Sequence, residues 1–229
     1  MNIAIIPARS GSKRIKNKNI KIFNGKPIIY WAIKSLLDSK IFDRIIVSTD
    51  SKKIAKIAEK YGAETPFLRP KKYSTDYTST REVIEHAINF FETQSYDVDV
   101  MACVYPTSVL IEKNDLKNAY KLFKKNKKKY YVFSALKFSY PVQRGFYIRK
   151  NKVVALNKKN LNKRSQDLEN IFHDAGKFYF FTKKLIKKKI NIFSKFSYPI
   201  KIDELKAQDI DDITDWNLAE IKHKYIQKS

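Results

Sequence analysis

The stretch Asn2-Ile3-Ala4-Ile5-Ile6-Pro7-Ala8-Arg9-Ser10-Gly11-Ser12-Lys13-Arg14 carries the first decision about this chain. Residues 2–6 form a short apolar run that stops at a turn, the pattern of a buried strand. The turn is rich in Gly, Ser and cations. At the C-terminal edge of a strand in an open α/β sheet, such a turn is where ligands bind, and small residues let several backbone N–H groups converge on one anion. Arg9, Lys13 and Lys18 add the positive charge needed to oppose a triphosphate and to stabilise departing pyrophosphate. The loop is not a Walker A motif, because no glycine precedes Gly11 at the required spacing and no Gly-Lys-Ser/Thr occurs. Nor is it a dinucleotide fingerprint. Taken alone, it also reads as a basic surface loop.

Outward from this loop the chain alternates short apolar runs with helical patterns. Lys26-Pro27 opens a helix through Ile28, Ile29, Trp31, Ala32 and Leu36, with Pro27 at the first helical position. Residues 44–48 read as a strand, with Asp50 or Ser51 capping a helix that runs to Tyr61 and ends at Gly62. An extended segment over 64–68, a helix over 78–94 and an apolar strand over 98–105 follow. A helix over 113–126 and a strand over 130–136 continue the rhythm. This alternation predicts an α/β fold with an open, mostly parallel sheet covered by helices on both sides. Residues 139–174 break the pattern and are expected to be a non-helical excursion from a single domain spanning 1–229. A strand over 177–181, a short basic helix over 183–189 and a closing helix over 212–226 complete the reading.

The composition bounds the function. Of 229 residues, 43% are hydrophobic and 14% aromatic, enough for a packed core. No apolar run approaches the roughly 18 residues of a membrane span, and Pro7 and Arg9 interrupt any signal-peptide pattern. The lone Cys103 lies in an apolar run, excludes an internal disulfide, and fits an inert thiol in a reducing cytoplasm. A net charge of +24 raises the question of nucleic acid. The lysines, however, are spread along the chain, with crowding at 124–129 and 183–189, rather than gathered in a reader module. No specific nucleic-acid partner and no membrane partner are expected. A basic nucleotide- or RNA-binding module is the rival reading from another class. The same charge would attract an anionic triphosphate and an acidic sugar.

Three further segments carry chemistry. In Gln208-Asp209-Ile210-Asp211-Asp212, an extended backbone projects Asp209 and Asp211 to one face, a pair of hard oxygen donors suited to Mg²⁺. By itself, this acidic run is explained better by Asp211 or Asp212 capping the helix that follows. Arg164-Ser165-Gln166-Asp167-Leu168-Glu169 with His173-Asp174-Ala175-Gly176 gathers Arg, Gln, His and carboxylates that could hold a polyhydroxylated, carboxylate-bearing sugar. Ser139-Tyr140-Pro141-Val142-Gln143-Arg144 could join it or be no more than a turn.

Together these blocks resemble the nonulosonic-acid cytidylyltransferases, the family that includes the CMP-sialic acid synthetases. The likeness covers nearly the whole chain in order. It runs from the opening Ile-Pro-Ala-Arg block with Lys18-Asn19-Ile20 through Val47-Ser48-Thr49-Asp50, Phe67-Leu68-Arg69-Pro70 and Tyr105-Pro106-Thr107. The loops at 139–144 and 164–176 resemble the branch that activates pseudaminic acid rather than the sialic-acid type. A sialic or legionaminic acid acceptor is the alternative. The resemblance implies a Rossmann-like nucleotidyltransferase fold, CTP and a nine-carbon sugar acid as substrates, Mg²⁺, a role in cell-surface or flagellar glycan synthesis, and a homodimer whose 139–174 excursion reaches the partner. It implies that Arg9, Ser12 and Lys13 contact the CTP phosphates, with Lys18 and Asn19 nearby. Arg69, Thr78 and Thr80 line the cytosine and ribose pocket, Asp76 holding that loop. Asp209 and Asp211 match the metal carboxylates, leaving Asp212 as the cap. Tyr105, Gln143, Arg144, Arg164, Gln166, His173 and Asp174 face the sugar acid. Arg9, Lys13 and Asp211 are the residues assigned to catalysis. The chain departs from the family pattern at Val109, where proline is common. Lys177 and Phe180 stand where Gln and Trp are frequent, and Tyr105 where the sialic-acid branch has glutamine.

Overall fold

The computed structural model describes residues 1–228. Its strands are β1 (Asn2–Pro7), β2 (Ile22–Phe23), β3 (Lys26–Pro27), β4 (Arg44–Ser48), β5 (Val100–Val104), β6 (Tyr131–Lys137), β7 (Phe146–Arg149), β8 (Lys152–Ala155), β9 (Phe172–Phe181) and β10 (Ser197–Lys201). The α-helices are α1 (Ile28–Ser39), α2 (Lys52–Lys60), α3 (Thr80–Thr93), α4 (Lys113–Lys125), α5 (Lys183–Lys187) and α6 (Ile213–Lys228). Six strands form the main sheet in the order β10-β6-β9-β5-β1-β4. Every neighbouring pair is parallel except those that β9 makes with β5 and β6. The mostly parallel α/β sheet expected from the alternation is therefore what forms, and no helix among the described residues is long and apolar enough to cross a membrane.

Strand alternation explains the two covered faces. Ala4 and Ile6 of β1 point to one side, where they join Ile33, Leu36, Val47, Leu116 and Phe123 beneath α1, α2 and α4. Ile3 and Ile5 point to the other, with Ile84, Phe91, Met101, Cys103 and Leu185 beneath α3 and α5. Cys103 is fully buried, and desolvation pushes its thiol up to about 12, as an inert core residue requires. A third cluster joins Ile15, Phe23, Ile28, Val109, Ile210 and Trp216, and so ties α6 to the loop after β1.

Several local expectations need correction. Pro27 is not in the first helical turn but is the residue before it (φ −54°, ψ 138°), closing the β2–β3 ribbon. Residues 64–68 make only isolated bridges, Ile46 to Glu64 and Thr49 to Leu68, rather than a strand. β10 went unseen in the sequence because Pro199 interrupts it and most of its residues are exposed. It is an edge strand, the one place in a sheet where proline costs little. β9 begins five residues earlier than the apolar pattern at 177–181 implies. Its polar first half is held by pairing with β6, not by periodicity. The 139–174 excursion contains the β7–β8 hairpin and short 3₁₀ turns.

The register of β9 against β6 shifts between Phe133 and Ala135, a bulge that re-aims the residues opposite it. Gly176 there has φ +64°, a conformation that a side chain would strain. The Ser134 hydroxyl accepts the N–H groups of Lys177 (3.1 Å) and Phe178 (3.3 Å) that the ladder leaves over.

Candidate active site

The loop after β1 rises from the C-terminal edge of the sheet and is held by side chains around it. The Ala8 N–H donates to Ser48 O (2.9 Å), and Asp50 accepts both the N–H (2.8 Å) and the hydroxyl (2.7 Å) of Ser10. Ser51, not Asp50, caps α2 by accepting from the Ile54 N–H. Because the Ser10 and Ser12 amides are already engaged, the latter on Ser10 O (2.9 Å), an anion at this loop would meet side-chain cations more than a cluster of N–H groups. Those cations converge. Arg9 and Lys13 each pair with one oxygen of Asp76, both at 2.6 Å. Lys13 first, and Arg9 with it, hold the Asp76 carboxyl below its ordinary range. The Asn19 amide donates to Arg9 O (2.8 Å), which fixes the loop's far end to its start.

Above this loop lies a cavity of about 470 Å³, within the usual range for a small-molecule site. Arg9, Ser12, Lys13, Lys18, Asn19, Arg69, Asp76, Thr78, Thr80 and Tyr105 all line it, so one hollow gathers every position the sequence assigned to the nucleotide. Arg69 is only 4% exposed, and burial lowers its pKa while Asp50 supports its charge. Its Nε donates to the Ser74 hydroxyl (3.1 Å). The Thr78 hydroxyl is tied to that of Thr75 (2.9 Å). Thr80 stands in the first turn of α3, whose start is set by a reciprocal box between Ser79 and Glu82. Its hydroxyl meets the Tyr105 hydroxyl at 2.8 Å, and burial pushes that phenol up to about 12. Tyr73 and Arg14 also line the cavity; Arg14 stood in the opening stretch without a role of its own, and a lone Tyr in a loop carries no pattern.

A second cavity, about 550 Å³, adjoins the first at Tyr105 and Thr107. His173, Asp174, Gly176, Glu204, Gln208, Asp209 and Lys222 line it. Asp174 accepts from the Tyr179 hydroxyl (2.6 Å) and from the Gly176 N–H (2.8 Å), while the His173 ring meets Asp174 O through Nδ1 (2.9 Å). Glu204 and Lys222 are additions from the tertiary structure, as they come from a segment and a helix face with no motif of their own, while Gln208 stood at the head of the acidic run without an assigned role. Four residues assigned to the sugar are not brought here. Gln143 donates to Glu169 O (2.6 Å), Arg144 to the Ser165 hydroxyl (3.3 Å), and Arg164 pairs with Asp167 (2.8 Å). With Gln166 they belong to the excursion, outside both cavities of their own chain.

Between the cavities runs the segment 208–211. Ile210 is fully buried in the third cluster, so its neighbours Asp209 and Asp211 turn outward. Asp209 lies on the second cavity, its Oδ1 accepting from the Ile210 N–H (2.9 Å). Asp211 pairs with Arg14 (2.7 Å) and stands 3.8 Å from Lys18, both of which line the first. Neither carboxylate caps α6. Asp212 does, accepting from the Thr214 (2.8 Å) and Asp215 (3.0 Å) N–H groups, while Asp215 returns a bond to the Asp212 N–H (3.2 Å). That frees Asp209 and Asp211 from a helix-end role. Among the described residues, no group of three or more His, Cys, Asp or Glu is placed to hold a metal alone. Two carboxylates beside two cavities instead fit a hard cation of the Mg²⁺ kind, which keeps waters and takes substrate oxygens as its remaining ligands.

The family model described as Cytidylyltransferase matches residues 3–228. A pseudaminic acid cytidylyltransferase of Campylobacter jejuni is 42% identical over 229 residues, covering 100% of this chain and 98% of that protein. A CMP-N,N'-diacetyllegionaminic acid synthase of Legionella pneumophila is 33% identical, covering 95% and 94%. Among solved structures, a CMP:2-keto-3-deoxy-manno-octonic acid synthetase complexed with CTP superposes with a TM-score of 0.70 across 100% of this chain and 99% of that one, at 12% identity, a likeness of fold.

Proposed function

Since the chain belongs to the cytidylyltransferase family, we propose that it couples CTP to pseudaminic acid, giving CMP-pseudaminic acid and pyrophosphate for glycan synthesis. The observation that carries this reading is the pair of adjoining cavities. One is lined by Arg9, Lys13, Lys18 and Arg69, and the other by hydrogen-bonding groups around Asp174. The acceptor is read from full-length identity to a pseudaminic acid enzyme.

In the proposed reaction the anomeric hydroxyl of the sugar acid attacks the α-phosphorus of CTP in line, its proton passes to Asp211, and the bond from the α-phosphorus to the bridging oxygen breaks as pyrophosphate leaves. Arg9 and Lys13 exchange Asp76 for the triphosphate and neutralise the charge that gathers on pyrophosphate. Thr78, Thr80, Arg69 and Asn19 orient the nucleoside, so the step gains from alignment rather than covalent chemistry. Tyr105, at the junction of the cavities, stays a neutral hydroxyl and orders the contact between the two substrates. Asp209 and Asp211 are the residues that would hold Mg²⁺, whose chemistry there is to polarise phosphate oxygens and lower the pKa of a bound hydroxyl. His173 and Asp174 bind the sugar's polar groups.

We further assign a homodimer. Phe146, Ile148 and Val153 of the β7–β8 hairpin are 55%, 74% and 66% exposed, and Gln143, Arg144, Arg164 and Gln166 stand on the same excursion, away from their own cavities. A partner beneath the hairpin would cover its apolar surface and bring those side chains over the partner's sugar site. The lone buried Cys103 accords with a cytoplasmic setting. The test is pyrophosphate release from CTP with pseudaminic, legionaminic and N-acetylneuraminic acids in parallel. The expected outcome is preference for pseudaminic acid by kcat/KM. Preference for another acid overturns the acceptor, and release with none, together with salt-sensitive RNA binding, overturns the reaction.

A further inference from the structure

We propose that Lys177 is a positioning residue that aims the Asp209 carboxylate by gripping the backbone of the segment that carries it. The proposal rests on the metal reading of Asp209 and Asp211 above.

The segment 204–211 belongs to no ladder, and beyond the 3₁₀ bond from the Ala207 N–H to Glu204 O (3.2 Å) its carbonyl groups draw on side-chain donors. Three lysines from three separate elements supply them. Lys222 of α6 donates to Glu204 O (3.2 Å) and Ala207 O (2.8 Å). Lys177 of β9 donates to Gln208 O (2.5 Å), and Lys18 of the first loop to Ile210 O (2.6 Å). The grips on Gln208 and Ile210 flank Asp209, and the buried Ile210 side chain removes the remaining freedom to turn.

Lys177 is the interior member of this set, 2% exposed. Its own backbone is fixed at both ends, the N–H on the Ser134 hydroxyl (3.1 Å) and the carbonyl by the Ser108 hydroxyl (2.8 Å). The bulge at Gly176 turns the side chain inward, so the strand holding Asp174 is joined rigidly to the segment holding Asp209. A buried ammonium is costly unless hydrogen-bonded and near negative charge. Here it is spent on one main-chain oxygen beside a proposed ligand. Groups behind metal ligands fix ligand geometry and commonly change metal affinity about 10- to 100-fold when removed.

The experiment titrates Mn²⁺ into the CTP complex of the full chain by electron paramagnetic resonance, with CTP affinity in EDTA and melting temperature measured alongside. Lys177→Met, which keeps the bulk and removes the donor, is expected to weaken Mn²⁺ binding about tenfold or more. Lys177→Gln, which keeps a neutral donor, should fall between it and the wild type. CTP affinity in EDTA should stay unchanged in both. Wild-type Mn²⁺ affinity in a folded Lys177→Met, with only a lower melting temperature, makes Lys177 a structural strut and overturns the proposal. If Lys177→Met does not fold, wild-type affinity in Lys177→Gln does the same. Asp209→Asn separates the two readings. Unchanged Mn²⁺ affinity in that variant overturns the metal assignment and this proposal with it, whereas weakened binding there but not at Lys177 overturns this proposal alone.

Discussion

Arg9 and Lys13 share Asp76 at equal distances of 2.6 Å, an arrangement that holds two cations together before any phosphate arrives. The pairs are largely exposed and worth little to stability; under the proposed function their consequence is for catalysis. Lys13→Ala should lower kcat about 10²-fold, by analogy with the loss of one oxyanion donor, while the melting temperature barely moves. Steady-state pyrophosphate release with a parallel melt checks both, and near-normal turnover would sink the phosphate-clamp assignment. Tyr105 makes a prediction in pH. Burial raises its folded-state pKa from the ordinary 10.0 to about 12, so the neutral form is favoured in the native state. Its stabilising contribution is complete below about pH 10 and is lost as pH rises toward 12. Tyr105→Phe should therefore show a smaller fall in urea midpoint between about pH 9 and pH 11 than the wild type. Arg9, Lys13 and Tyr105 were legible in the sequence as site candidates. The sharing of Asp76 and the Thr80–Tyr105 contact were not, because they join positions 25 or more residues apart.

At the scale of elements, β9 decides most. It is the antiparallel insertion in an otherwise parallel sheet, and its bulge sends Asp174 toward the second cavity and Lys177 inward. Its apolar half was readable, as Phe178, Phe180 and Phe181 form a buried run. Its polar half was not, since residues 172–176 take strand geometry only because β6 offers a partner. Phe180 is fully buried among Phe42, Tyr120 and Phe123, with ring centroids about 6 Å away. Phe180→Ala should cost about 3–5 kcal/mol, as truncation of a core aromatic does. Urea denaturation reads this as a lower midpoint with an unchanged slope, and a loss under about 1 kcal/mol would mean that the strand's packing is not what holds the sheet's centre.

For the whole molecule, the proposed homodimer makes the prediction. A two-stranded hairpin is marginal alone, and every residue of β7–β8 except the half-buried Ala155 is exposed. Ile148→Lys should convert a dimer to a monomer in sedimentation, and kcat/KM for the sugar acid should fall with it while CTP binding persists. A wild-type protein that sediments as a monomer would remove the proposed role of Gln143, Arg144, Arg164 and Gln166 over a partner's site.

Local chemistry made much of this legible without coordinates. Strand and helix periods set the parallel α/β alternation, and the cationic turn after β1 suited a triphosphate, although taken alone it also read as a basic surface loop and only the family resemblance favoured the phosphate. Tertiary structure showed which carboxylate caps the helix, a choice that the residues alone left open and the family resemblance only implied, since a carboxylate's role depends on which amide it meets, and Asp212 meets those of α6. It also decided where the excursion's side chains lie and made Lys177 an interior residue, because register, bulges and burial arise from segments far apart in the chain.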